Sequence, residues 1–144
     1  MYKRQVLDAG AKRLEAGTTE PAVAARLHQT LGETYLGLGA FDKAQTQFDQ
    51  AADLSAIDEQ RMRAQIGQGA ARRGTGTSRD AIATLRAIDL TGAPVTLQAW
   101  HARELGLALV DQGEYDEALP WLNDALSLDP VSYTHLTLPT TPYV

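Results

Sequence analysis

The chain has 144 residues, enough for one domain with a sizeable core. Hydrophobic residues make up 44% but aromatic ones only 6%, with Ala, Leu and Gly prominent, a mix that suits closely packed helices better than a β-sandwich. The formal charge of −5 disfavours nucleic acid and an anionic membrane as partners, and the absence of cysteine excludes disulfides and thiolate metal sites.

The first five residues and the last fourteen stand apart from the rest. Residues 131–144 carry no charge, no Ala and no helical period, and are crowded with Thr and Pro. Tyr2-Lys3-Arg4-Gln5 can be encoded TAT AAG AGA CAG, whose reverse complement, read from its third base, gives Val-Ser-Tyr, the start of the tail at Val131. Both ends therefore resemble one transposase-adapter element translated on opposite strands. On that reading residues 1–5 and 131–144 lie outside the fold, Pro130 has a hybrid codon, and the chain is a fragment of a longer bacterial protein from metagenomic DNA. No signal-peptide pattern follows Met1, and no apolar run approaches the roughly 20 residues that span a bilayer.

Residues 6–16 predict an N-terminal packing helix with Leu7, Ala11 and Leu14 on one face. Thr18-Thr-Glu-Pro21 breaks it and opens the next helix, since Pro favours the first helical turn. An internal repeat then begins. Leu31-Gly32, Tyr35, Gly39, Phe41-Asp42, Ala44, Phe48 and Ala51 fall in register with Leu105-Gly106, Leu109, Gly113, Tyr115-Asp116, Ala118, Leu122 and Ala125. A weaker copy lies between, read as Ile66-Gly67, Ala70, Gly74, Ala81, Leu85 and Ile88, with a turn from Gly74 to Asp80 two residues longer than the others. Thr91-Gly-Ala-Pro94 breaks the chain before the third copy.

Each landmark has a packing reason. Gly32, Gly67 and Gly106 sit inside helices, where Gly costs about 1 kcal/mol relative to Ala, so a neighbour must approach closely there. Ala44, Ala81 and Ala118 answer from the second helix of each pair. Gly39, Gly74 and Gly113 are expected to end the first helices at positive φ. Asp42, Asp80 and Asp116 are placed to cap the second helices and favour the positive end of their dipoles.

This pattern resembles the tetratricopeptide repeat, whose period is about 34 residues and whose signature includes Leu-Gly, Tyr, Ala, Phe and a closing Pro. The resemblance covers roughly residues 22–130, with repeats at about 22–56, 58–91 and 95–130. It implies an all-α solenoid of antiparallel helix pairs that binds a peptide or partner protein. The sequence departs from the family at His28 and Ala102, where Trp is common, and at Ala56, where Pro is. In that family the first helices line a concave groove, and the aligned positions here are Arg26, Gln29, Glu33, Arg61, Gln68, Arg72, Trp100 and Arg103. Arg and Trp are good anchors for peptides. Glu33 and Gln68 stand where the carboxylate-clamping subclass has Asn, which argues against that activity. Val6–Glu15 followed by Pro21–Gly39 further resembles the repeat region of some bacterial serine/threonine protein kinases; transcriptional regulators carry similar repeats. A cytoplasmic setting is the default, and a periplasmic one follows from membrane-anchored kinase parentage.

No catalytic, cofactor or metal constellation is read. His28 and His101 are taken as partly exposed packing residues, and His135 falls in the tail. Ser78 and Ser127 lack the neighbours of a nucleophile, and Gly74-Thr-Gly-Thr-Ser78 lacks the lysine and preceding strand of a phosphate loop. Asp111, Glu114, Asp116 and Glu117 read as a solvated turn. Exposed apolar surface is expected at both ends of the solenoid, with self-association through them.

Overall fold

A computed structural model describes residues 2–15 and 20–129 as seven helices. They are α1 (Tyr2–Glu15), α2 (Pro21–Gly37), α3 (Phe41–Leu54), α4 (Asp58–Gly74), α5 (Ser78–Arg86), α6 (Val95–Asp111) and α7 (Tyr115–Leu128). No strand occurs among the described residues. Helices α2–α3, α4–α5 and α6–α7 form three successive antiparallel pairs, each packed on the next. The tail at 131–144, Pro130, His135 and the Thr18-Thr19 break lie outside the described residues. Helix α1 begins at Tyr2, so the helical period runs through residues the sequence reading set aside.

The repeat is more regular than its sequence suggested. First helices start at Pro21, Asp58 and Val95 and second helices at Phe41, Ser78 and Tyr115, a spacing of 37 residues throughout. The middle copy therefore has no longer turn. Its positive-φ glycine is Gly76 (φ 87°), matching Gly39 (75°) and Gly113 (80°), whereas Gly74 remains helical. All three turns close the same way: Ala40, Thr77 and Glu114 donate their N–H groups to the carbonyls of Tyr35, Arg72 and Leu109 at 2.9, 3.0 and 2.9 Å. This is the six-to-one bond of a Schellman motif, which needs a residue at positive φ just before it.

The same register corrects the mid-helix glycines. A Cβ on Gly32, Gly69 or Gly106 would lie 2.7, 2.6 or 2.7 Å from Phe48, Leu85 or Leu122, the large residue of the same pair. Gly69, not Gly67, is thus the middle copy's counterpart. Gly67 faces Phe48 from the following pair, and Gly74 faces Phe41 in the same way. Phe48, wholly buried, is held between two glycines on two helices.

Ala44, Ala81 and Ala118 are buried as expected, and Tyr35, Leu85 and Leu109 fill the space between helices. The expected capping by Asp42, Asp80 and Asp116 does not occur. None of the second helices has a side-chain cap bond, because these carboxylates lie inside the first turn rather than before it. They retain only the favourable dipole position. Helix α5 stops early, at Arg86. Asp89 takes the backbone N–H and the hydroxyl of Thr91 at 3.0 and 2.7 Å, a local turn that competes with helical bonding. Helix α1 is fastened by Asp8, whose carboxylate accepts the Tyr35 hydroxyl and the Lys43 ammonium. Lys43 first and Tyr35 second hold the Asp8 carboxyl below the usual carboxylate range.

Candidate protein-binding groove

Helices α2 and α4 are both first helices, and between them opens a cavity of about 400 Å³. Arg26, Gln29, Thr30 and Glu33 reach it from α2, their spacing of three and four placing them on one helical face. Glu59, Gln60 and Arg63 answer from the first turns of α4, with Ser55 at the joining loop.

The lining offers both charges and few free hydroxyls. The Thr30 hydroxyl donates back to the Arg26 carbonyl at 3.1 Å, and Ser55 does so to Ala51 at 2.6 Å. Gln29 donates from Nε2 to Glu33 Oε2 at 2.6 Å, which fixes its amide: reversing it would turn the carbonyl oxygen against a carboxylate. Gln29 Oε1 is consequently buried with no donor. An unmet buried acceptor costs about 1–3 kcal/mol, which a ligand N–H can recover. Arg63 stands 4.0 Å from Glu59, a loose pair, and Arg26 forms no ion pair with any described residue. The cavity therefore has cationic donors and an amide acceptor to spare.

Of the eight residues read from the sequence, Arg26, Gln29 and Glu33 converge on this cavity. The others do not line it. Arg61 bonds Asp58 at 3.1 Å and the Ser55 carbonyl at 3.0 Å. Gln68 donates to Asp49 on α3 at 2.8 Å, and Arg72 donates to Thr84 on α5. Arg103 is bound to Glu104 at 2.8 Å, and Trp100 packs half-buried on the core of the last two pairs. In the 37-residue register the middle copy's equivalent of Arg26 is Arg63, and the third copy's is Trp100. Arg61, Gln68 and Arg72 sit two residues away from that register. Arg63 was missed for this reason, and the spacing of Gly39, Gly76 and Gly113 was the signal that identifies it; Glu59 and Gln60, in register with Ala22 and Val23, lie a turn before the aligned positions.

His28 and His101 are buried rather than partly exposed. His28 Nδ1 lies 2.7 Å from Gln47 Oε1, joining α2 to α3. His101 Nε2 lies 2.8 Å from the Leu85 carbonyl oxygen, and its ring stands edge-on to Trp121 with centroids 5.6 Å apart. Burial pushes the His101 pKa below its ordinary 6.5, only partly offset by that bond. Among the described residues no three His, Asp or Glu side chains gather as metal ligands. Ser78 donates to Asp111 at 3.1 Å, tying α5 to α6. Glu104, only 5% exposed at its side chain, is held by Arg73 at 3.2 Å and Arg103 at 2.8 Å. This buried ion cluster joins the second pair to the third. No described helix is long and apolar enough to cross a membrane.

Stacked helix pairs with close-packed small residues and a polar groove between first helices define an α-solenoid scaffold. A family model described as tetratricopeptide repeat matches residues 25–58 and 104–132. Among solved structures the chain is similar to one titled "MamA MSR-1 C2", at 23% identity over 91% of this chain and 72% of that one, with a TM-score of 0.61. No curated protein matches it. The chain carries tetratricopeptide repeats at residues 25–58 and 104–132 and the helix-pair fold of such repeats between them. Its fold is a protein–protein interaction module, typically without catalytic activity of its own.

Proposed function

We propose that this protein binds a polypeptide in the groove between α2 and α4, with Arg26, Gln29, Glu33, Gln60 and Arg63 as principal contacts. The observation that carries this reading is the buried, unmet Gln29 Oε1 beside a cavity with charges of both signs. An extended peptide offers N–H donors and C=O acceptors together, which such a lining can meet and a purely apolar or singly charged ligand cannot. Trp100 and Arg103 extend the same helix face into the third pair, as a second contact region along a longer ligand. The scaffold acts by binding; no residue of the groove is a nucleophile poised by a base.

Panning a random dodecamer display library against the whole chain tests this. Enriched peptides should lose at least ten-fold in affinity to an Arg26→Glu, Arg63→Glu variant whose circular dichroism is unchanged. Undiminished affinity would place their contacts elsewhere.

The likeness of Val6–Gly39 to kinase repeat regions favours one further setting: a sensing or docking region within a larger bacterial signalling protein, such as a serine/threonine kinase or transcriptional regulator. There the groove would bring a partner to a catalytic or DNA-binding part. Sequencing the flanking coding DNA tests it; a kinase catalytic loop upstream would support the setting, and an unrelated upstream frame would remove it.

A further inference from the structure

Two crevices of the solenoid hold the same place in the repeat and differ in chemistry. Moving along the chain by the 37-residue period puts Arg63, Ile66 and Ala70 on α4 where α2 carries Arg26, Gln29 and Glu33. Across the crevice, Leu97 and Trp100 stand on α6 where α4 carries Gln60 and Arg63. Ile66 and Leu97 are buried there as part of the apolar core. Helix stacking thus accepts an apolar seam at this place, and nothing in the packing calls for the polar set on α2. Gln29 is nevertheless buried, 9% exposed, with an acceptor that no donor meets. Such a group lowers stability until something meets it.

The charges around it say what does. Glu59 and Arg63 stand 4.0 Å apart on α4 and offset one another. Arg26 and Glu33 have no such partner among the described residues. The bond to the Glu33 carboxylate comes from the neutral Gln29 amide, and the Arg26 guanidinium forms none. Both line the groove, seven residues apart on α2, about 10 Å along the helix axis. A peptide covering the groove takes water from both, and a dry charge without a counter-charge is the costliest group to bury. The occupant therefore brings an anion to Arg26 and a cation to Glu33. Beside Glu33 that cation also meets Gln29 Oε1. A guanidinium, with N–H groups fanned over one plane, serves two such oxygens better than the compact ammonium of lysine.

We propose that the groove selects a mixed-charge peptide segment, with one Arg on Glu33 and Gln29 and one Asp or Glu on Arg26. In an extended chain the two lie about three residues apart, the acid toward the start of α2 and the Arg toward its end. This rests on the polypeptide reading above and specifies it: the preferred segment is neither wholly acidic nor wholly basic.

The probes are labelled dodecamers with one Glu and one Arg set two to four residues apart, in both orders, and Glu/Glu, Arg/Arg and Gln/Gln versions of each. In fluorescence anisotropy against the whole chain, a Glu/Arg member should bind at least ten-fold tighter than its three controls. Exchanging the charges in the protein, Arg26→Glu with Glu33→Arg, should turn the preference to the opposite order. Both side chains are exposed, so circular dichroism should not change. A merely structural role for Glu33 would not reverse the order. Equal binding of a single-sign or neutral control, or an order preference that survives the exchange, overturns the proposal. Should no dodecamer of the set bind while display-selected peptides bind and weaken on Arg26→Glu, Arg63→Glu, the mixed-charge segment is wrong and the polypeptide reading stands. Should the display-selected peptides also fail, both fall.

Discussion

Where the first helix pair meets the second, the wholly buried Phe48 ring lies between Gly32 and Gly67, and Phe41 meets Gly74. Where the second pair meets the third, Leu85 replaces the ring, Ser78 replaces Phe41, and the space is filled by His101, Asp111 and the Glu104 carboxylate with its two arginines. The backbone repeats every 37 residues through both junctions, yet one is aromatic and glycine-lined while the other is aliphatic and charged. The difference teaches that the solenoid fixes volume at each junction, not chemistry. A large knob on one helix is matched by a missing side chain on the next, and a small one by a long polar partner.

The first junction should be the more fragile to loss of bulk. Phe48→Ala removes its central ring and is expected to cost about 3–5 kcal/mol, measured by chemical denaturation. The second junction should be the more fragile to loss of charge. Arg73→Ala leaves the buried Glu104 with Arg103 alone and is expected to cost about 1–3 kcal/mol, with part of it restored by adding Glu104→Gln. A milder contrast separates glycines that serve a junction from those that do not. Gly67→Ala forces the Phe48 ring aside and should cost about 1–3 kcal/mol. Gly37→Ala, in open space at the end of α2, should instead stabilise by up to about 1 kcal/mol.

The smallest effect is a pH dependence confined to the second junction. His101 holds a proton less readily folded than unfolded, so the unfolded chain takes up protons first as pH falls. Stability should therefore be full above pH 6.5 and decline as pH drops from 6.5 through the depressed folded value. His101→Gln should flatten that decline in denaturation midpoints measured between pH 7.5 and about 5. An unchanged slope would assign it to another group.

Much of this architecture was legible because helix pairs announce themselves by small and large residues at fixed intervals. The first and third copies share the run aromatic-Asp after a turn glycine, and their landmarks fell where the structure places them. The second copy lacks that aromatic and carries four glycines, Gly67, Gly69, Gly74 and Gly76, as two pairs offset by two residues. Either pair completes the motif in the sequence, and only the packing of Gly69 on Leu85 and the positive φ of Gly76 select the second. Gly67 and Gly74 are small because of Phe48 and Phe41 in the preceding pair, a cause that lies outside their own repeat. Reading the motif from the first pair carried Arg61, Gln68 and Arg72 into the groove and left out Arg63. The Glu104 cluster was invisible for a different reason. Its partner Arg73 is 31 residues distant, and only the stacking of α4 on α6 brings the two together.

Side-chain amide resonances give the most direct test of the groove itself. Gln29 and Gln60 carry NH2 groups inside the cavity, so titrating a display-selected peptide into labelled protein should move both, along with backbone signals of Arg26, Glu33 and Arg63. Shifts confined to α5, α7 or the turns, with Gln29 unmoved, would contradict the account.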